Sequence, residues 1–267
     1  PWSATTAGAA TKKDGTLYYR SSITYKNKHI SLGSFSTEDA ASLAYHLADS
    51  ILHDTKYGLE DFSSCSRALP FRKWVTLINF RDNGIYIKTP VYLYQKYFHY
   101  YFSPEDYYIF DIDDLFYYST HTITRRGGHL FVSDYGMQVN ILSRYGIKNY
   151  GVAGRDFLFV NGNMRDFRYE NIEIINRYHG VFRKTHQGKT LYETRIHWKS
   201  DFIVGRYESE TDAAVAYNKA ASVLIRKGYD KKYPVNYVEE LSPAEYKNRL
   251  EKLKISKTII DLKDLIW

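Results

Sequence analysis

The chain has 267 residues with 37 Lys and Arg against 30 Asp and Glu, a net charge of +7, 17% aromatic residues including 27 Tyr, and a single Cys. A hydrophobic share of 44% excludes a disordered chain, and Cys65 alone excludes internal disulfides and a Cys-rich zinc site. No apolar run approaches the ~20 residues a membrane helix needs, and no secretory signal opens the chain, so a soluble protein of two or three small domains is expected, cytoplasmic (nucleoid-associated in a bacterium or phage) or nuclear in a eukaryote.

Residues 1–13 read as a flexible arm. Over 14–60, the segments Gly15–Ile23 and Lys28–Phe35 are rich in β-branched and aromatic residues and predict strands. Gly33 near a strand end marks a bulge or a close helix. Ser36 with Asp39 has the spacing of a helix N-cap and its acidic partner, and Ala40, Ala44, Leu47, Ala48 and Ile51 then recur at helical spacing.

Residues 68–176 are too apolar and aromatic for a linker and predict a folded middle domain. Within it, Asp106–Asp114 lines up with Asp156–Met164, and Leu93–Tyr97 with Ile141–Tyr145, which points to a tandem repeat over 85–125 and 135–176 or to chance likeness between Tyr-rich strands. Asp111, Asp113, Asp114 and His121 form the cluster dense enough for a divalent cation, although on the repeat alignment Asp111 and Asp113 become ordinary turn residues. Arg125-Arg126-Gly127-Gly128 is a basic hairpin turn able to track a phosphate backbone. The stretch Arg155–Ile174 predicts a strand, an Asn-Gly turn, a helical turn and an emerging strand.

Residues 177–240 repeat the pattern of 14–60, with strands at Gly188–Ile196 and Asp201–Tyr207, a strand-end Gly205, an N-cap at Ser209 facing Asp212, and Ala213, Ala216, Tyr217, Ala220 and Leu224 at helical spacing. Residues 178–267 carry seventeen basic side chains against twelve acidic ones, which concentrates the charge excess there. Over 241–267, Ser242-Pro-Ala-Glu245 opens a helix. The apolar run from Ile259 to Trp267 then docks either on the body of the protein or on a second copy, as a homodimer.

The two strand-and-helix units resemble the Apetala-two/ethylene-response-factor DNA-binding domain. The second is the closer, through Tyr178-His-Gly-Val181, Val204-Gly205-Arg206-Tyr207, the Ala-rich run 213–221 and Val235-Asn236-Tyr237; the first keeps Leu32-Gly33-Ser34-Phe35 and Ala40-Ala41 with Ala44, Tyr45 and Ala48. The resemblance implies an α+β fold of small three-stranded sheets, each with one helix, whose free sheet face lies in the major groove of double-stranded DNA. Carried over, the contacts are Lys184, Glu193, Arg195, His197 and Ile203 in the second unit, and the charge concentration there adds Arg183 and Lys199 as DNA-binding candidates. In the first they are Arg20, Ser22, Thr24 and Ser31, with Lys26 and Lys28 near phosphates. Arg can take guanine O6 and N7 bidentately, Glu can accept from cytosine N4, and Lys serves phosphates. Thr190, Phe182 and Ile203 stand where plant members carry Trp and Arg, so base preference does not transfer.

The stretch Arg155–Ile174 resembles the HNH (ββα-metal) homing-endonuclease motif at Val160, Asn161, Gly162, Asp166, Arg168, Asn171 and Ile172. The family's metal ligand and general-base His fall on Leu158 and Phe159, and its central Asn on Phe167. These side chains neither bind a cation nor accept a proton. Together the resemblances imply a transcription regulator descended from a mobile-element endonuclease that has lost cleavage, with no cofactor. The alternatives are an active metal-dependent nuclease using the Asp111–His121 cluster, and a reader of modified DNA.

Overall fold

The computed structural model describes residues 7–11, 13–62, 68–149, 151–229 and 232–263; Cys65 and the last four residues, Trp267 included, lie outside that set. The described residues fall into two compact units, one within Pro1–Val139 and Asn161–Asn171, the other within Asn140–Val160 and Ile172–Trp267. Each is mixed α and β, built on small antiparallel sheets. Among the described residues, no helix is long and apolar enough to cross a membrane.

In the first unit, β1 (Ala7–Thr11), β2 (Leu17–Tyr25) and β3 (Lys28–Phe35) form an antiparallel sheet in that order. Residues 7–11, expected in a flexible arm, are thus an edge strand, with Gly8 opposite Arg20 and Thr11 opposite Leu17. Helix α1 (Glu38–His53) starts one residue later than the spacing suggested, because Thr37 rather than Ser36 accepts the Ala40 N–H. It lays Ala44, Ala48 and Ile51 against Ile23, Ile30 and Leu32.

Helix α2 (Phe71–Asn83) contributes Trp74, Leu77, Ile78 and Phe80 to the same core, and Arg81 donates to the Ile51 and Asp54 carbonyls at the end of α1. This shared core is why the expected 68–176 domain is not a separate body. Residues 68–139 and 161–171 fold with the first sheet, and 140–160 and 172–176 with the second unit. A second sheet follows, of β4 (Val91–Leu93), β5 (Tyr97–Ser103) and β6 (Asp106–Asp111), then the one-turn α3 (Leu115–Tyr118). A third comprises β7 (Ile123–Arg126), β8 (His129–Asp134) and β9 (Met137–Asn140).

The proposed tandem repeat does not match these elements. Leu93–Tyr97 leaves a strand for a loop, whereas Ile141–Tyr145 is a 3-10 helix, capped by Asn140 and stopped by Gly146 in the left-handed region.

The second unit holds the short ribbon β10 (Phe157–Phe159) and β11 (Ile172–Ile174), then the sheet β12 (Val181–His186), β13 (Lys189–Trp198) and β14 (Ser200–Tyr207). Helix α4 (Glu210–Arg226) is capped by Ser209, which accepts the Asp212 N–H as the spacing predicts. Its Ala213, Ala216 and Ala220 are fully buried, so the helix axis lies close on the sheet. The closing segment is sewn in by amides: Asn236 exchanges hydrogen bonds with Asn218 of α4 and with the His179 backbone.

Helix α5 (Pro243–Lys252) has the full capping box between Ser242 and Glu245. After it, Ile255 of the connecting loop and Ile259 of the short α6 (Lys257–Ile260) enter the α4 core. Of the run expected to dock, Ile259 and Leu262 thus pack on their own unit, Ile260 is exposed, and residues 264–267 lie outside the described residues.

One backbone point governs how β12 starts. Gly180 has φ +68, and a Cβ there would run into the Tyr217 ring and the Arg195 carbonyl. The Arg195 N–H also donates to the Gly180 carbonyl. Gly180→Ala is expected to destabilise the second unit by about 1–3 kcal/mol, checked by urea unfolding.

Candidate nucleic-acid interface

In both units the helix covers one face of the first-named three-stranded sheet, and strand alternation sends every second side chain to the other face. A bulge interrupts the alternation at the same place in each. Thr194 pairs with Gly205 and Arg195 with Ile203, leaving Val204 over. Ser21 pairs with Gly33 and Ser22 with Ser31, leaving Leu32 over. Val204 and Leu32 are both buried in the core. Beyond the bulge the phase flips, so Ile203 and Arg206 share the open face, as do Ser31 and Ser34. Strict alternation from Ile203 would turn Arg206 inward; the bulge returns it to the open face, a position not among the expected contacts.

The open face of the second unit is organised by Glu193. Its side chain is 5% exposed, and it takes Arg195 Nε and a terminal nitrogen on Oε1 at 2.8 and 2.6 Å, and Arg206 Nε on Oε2 at 2.9 Å. Burial alone would raise its pKa, but the hydrogen bonds from the two arginines outweigh that and hold it below the ordinary glutamate value. Glu193, expected as a direct base acceptor, is therefore enclosed as an anchor. The arginines it holds remain open to solvent, 39% for the Arg195 side chain and 62% for Arg206. Each keeps unused N–H groups at the tip of its fork.

Beside them, Lys184, Thr185, His186, Leu191, Glu193 and Arg206 line a hollow of about 360 Å³. His197 faces Asp201 across the strands at 2.7 Å, and Ile203 is 45% exposed. Lys199 forms the hairpin tip, its ammonium 4.9 Å from the Trp198 ring centroid. Arg183, expected among the contacts, alternates with Lys184 onto the helix side, opposite Tyr192.

The first unit presents a different face. By register Arg20 occupies the position of Glu193, Ser22 that of Arg195, Thr24 that of His197, and Ser34 that of Arg206. Arg20 donates to the Tyr18 hydroxyl at 2.7 and 3.2 Å, so this face carries one guanidinium where the other carries two. Lys26 lies in the two-residue turn between β2 and β3. Lys28 falls on the helix side, its ammonium 5.2 Å from the Tyr86 ring, and so leaves the set of face residues. Arg125 is held by Asp106 at 2.9 Å and stacks on Phe102, while the exposed Arg126 precedes the Gly127-Gly128 turn.

The HNH-like stretch folds as read, strand, turn, 3-10 turn and strand, but no helix follows β11 before β12. Its polar residues bond to one another. Asn161 donates to Asp166, Asn171 accepts the Asn161 N–H and donates to the Asp166 carbonyl, and Arg168 grips Asp166 at 2.6 and 2.9 Å. Burial would raise the Asp166 pKa, and the bonds from Arg168 and Asn161 pull it below the usual range instead. Phe167 is buried against Phe110, and Leu158 and Phe159 form the β10 ribbon. The motif residues thus shape a loop.

The acidic cluster is likewise spent on local structure. Asp111 accepts the Tyr169 N–H, and Asp114 the Tyr169 hydroxyl at 3.2 Å. His121 stacks on Tyr117 at 4.2 Å and points its Nε2 towards Asp134, 3.6 Å away. Asp113 sits in the 3-10 turn. Among the described residues, no group of three or more His, Cys, Asp or Glu is placed to hold a metal ion. No protein-family model, curated protein or solved structure matches the chain.

Proposed function

We propose that the chain is a sequence-specific double-stranded DNA-binding protein that occupies its site without cutting it, a role suited to regulating transcription. The observation that carries this reading is the pair Arg195 and Arg206, anchored on one buried carboxylate in the middle of an uncovered sheet face. Fixed guanidinium forks on a flat, basic, ribbon-like surface suit the guanine edge in a major groove. The first unit, with Arg20 alone, contributes a weaker and differently read contact. Side chains that neither bind a cation nor take a proton, at Leu158 and Phe159, support binding without cleavage.

A random-oligonucleotide selection with the whole chain is the test. Enrichment of one defined motif, with supercoiled DNA left intact in Mg²⁺, is the expected result. Enrichment of no motif overturns the reading, and so does nicking that Asp111→Ala abolishes.

A further inference from the structure

Phe182, on the open face of β12, is ringed by cations from two sources. The Arg195 guanidinium of β13 lies 5.7 Å from its centroid, and Lys148 and Arg155 lie 5.6 and 6.0 Å away. The last two belong to the segment before β10, outside the three strands and outside the part of the chain that carries the Apetala-two resemblance. Asp156 organises them as Glu193 organises the face: fully buried, it takes Arg155 on Oδ2 at 2.8 and 3.1 Å and lies 2.8 Å from the Lys148 ammonium. The Val152 N–H donates to the same Oδ2. Arg155 is nonetheless 54% exposed. A charge tethered by a buried partner yet open to solvent is a preformed contact, because the side-chain ordering that binding requires is already done.

We propose that Arg155, oriented by Asp156 beside Phe182, contacts a DNA phosphate and extends the second unit's open face past the edge of β12. The inference rests on the DNA-binding reading above. Its geometric reason is width. Strands about 4.8 Å apart make a three-stranded sheet about 10 Å across, close to the ~12 Å major groove. A cation beyond the edge strand therefore meets the phosphate ridge that flanks the groove rather than a base edge. The charge agrees, since Arg155, Lys184, Arg195 and Arg206, all open to solvent, outnumber the exposed Asp201, which is itself paired with His197.

Salt titration of binding, by fluorescence anisotropy of the full chain with the selected duplex and a scrambled one, separates the outcomes. In Arg155→Gln, affinity is expected to fall alike for both duplexes. The slope of log affinity against log salt is expected to shrink by about 0.9, the value of one phosphate contact. Arg155→Lys, which keeps the charge, is expected to keep the slope, and this distinguishes charge loss from a folding defect. An unchanged slope in Arg155→Gln overturns the inference, as does a selective loss for the selected duplex; if Arg195→Ala still weakens binding there, the interface reading stands without this extension. A wild-type chain that binds neither duplex overturns both.

Discussion

Asp156→Ala is expected to destabilise the second unit by about 3–5 kcal/mol, the cost of leaving a buried charge without its partner. The Asp156 side chain is 0% exposed and Lys148 is 8% exposed, their charged atoms 2.8 Å apart. With the carboxylate gone, Lys148 keeps the Tyr178 carbonyl at 3.1 Å, which satisfies one proton but neutralises nothing. The Val152 N–H loses its acceptor as well. Replacing both partners by apolar residues, Lys148→Met with Asp156→Leu, is expected to recover most of the loss, because no charge then stays buried.

The pH dependence has a definite sign. Burial would raise the Asp156 pKa, but the bonds from Arg155, Lys148 and the Val152 N–H hold it below the ordinary aspartate value. A carboxylate with a depressed native pKa stabilises the fold at pH above its unfolded value, and that contribution disappears as pH falls through the native value. Urea unfolding of the wild type should therefore lose stability steeply below about pH 4, and Asp156→Ala should show a flatter acid limb. Equal acid limbs in the two proteins would refute this account of the pair.

The second large effect concerns recognition. Arg195→Ala is expected to weaken binding to the selected duplex by about 1–3 kcal/mol, the value of one bidentate base contact, and to relax the preference at one base position. Arg195 hangs on Glu193 by two bonds and lies over the Phe182 ring, so its orientation is already set in the protein alone. Arg195→Lys is not expected to restore the preference, because an ammonium cannot present a planar fork. Arg206→Ala should act in the same direction. The two losses should not add, since both arginines share the Glu193 carboxylate and removing one leaves the other repositioned. Equal affinity and equal base preference for Arg195→Ala and wild type, by competitive binding, would sink the assignment.

Much of the scaffold of both sheet units was legible in the chain. Ala213, Ala216, Ala220 and Leu224 recur at helical spacing, and all four are buried in α4. Ser209 and Ser242 cap their helices as the spacing indicates. Such features are encoded within one helical turn or a few strand residues, so a local reading reaches them. On the open face of the second sheet, Lys184, Arg195, His197 and Ile203 are the positions the Apetala-two resemblance implies, and the strand register places them on that face. Arg206 was not among them; the bulge at Val204 shifts the phase, and its pairing with Glu193 of β13 is what puts it on the same face.

Composition, charge and local pattern by themselves determined that this basic, aromatic, nearly cysteine-free chain contains two sheet-and-helix units, and that its positive excess lies in the C-terminal third. Tertiary structure decided the rest. It joined α2 to the first sheet's core through Trp74, and it divided residues 68–176 between two units. It turned residues 7–11 into a strand and made Glu193 and Asp156 into buried anchors for exposed arginines. The physical reason is common to all of these. Which core a segment joins, and which partner a carboxylate finds, are settled by free energies between residues distant along the chain, and those leave no periodic trace in the sequence.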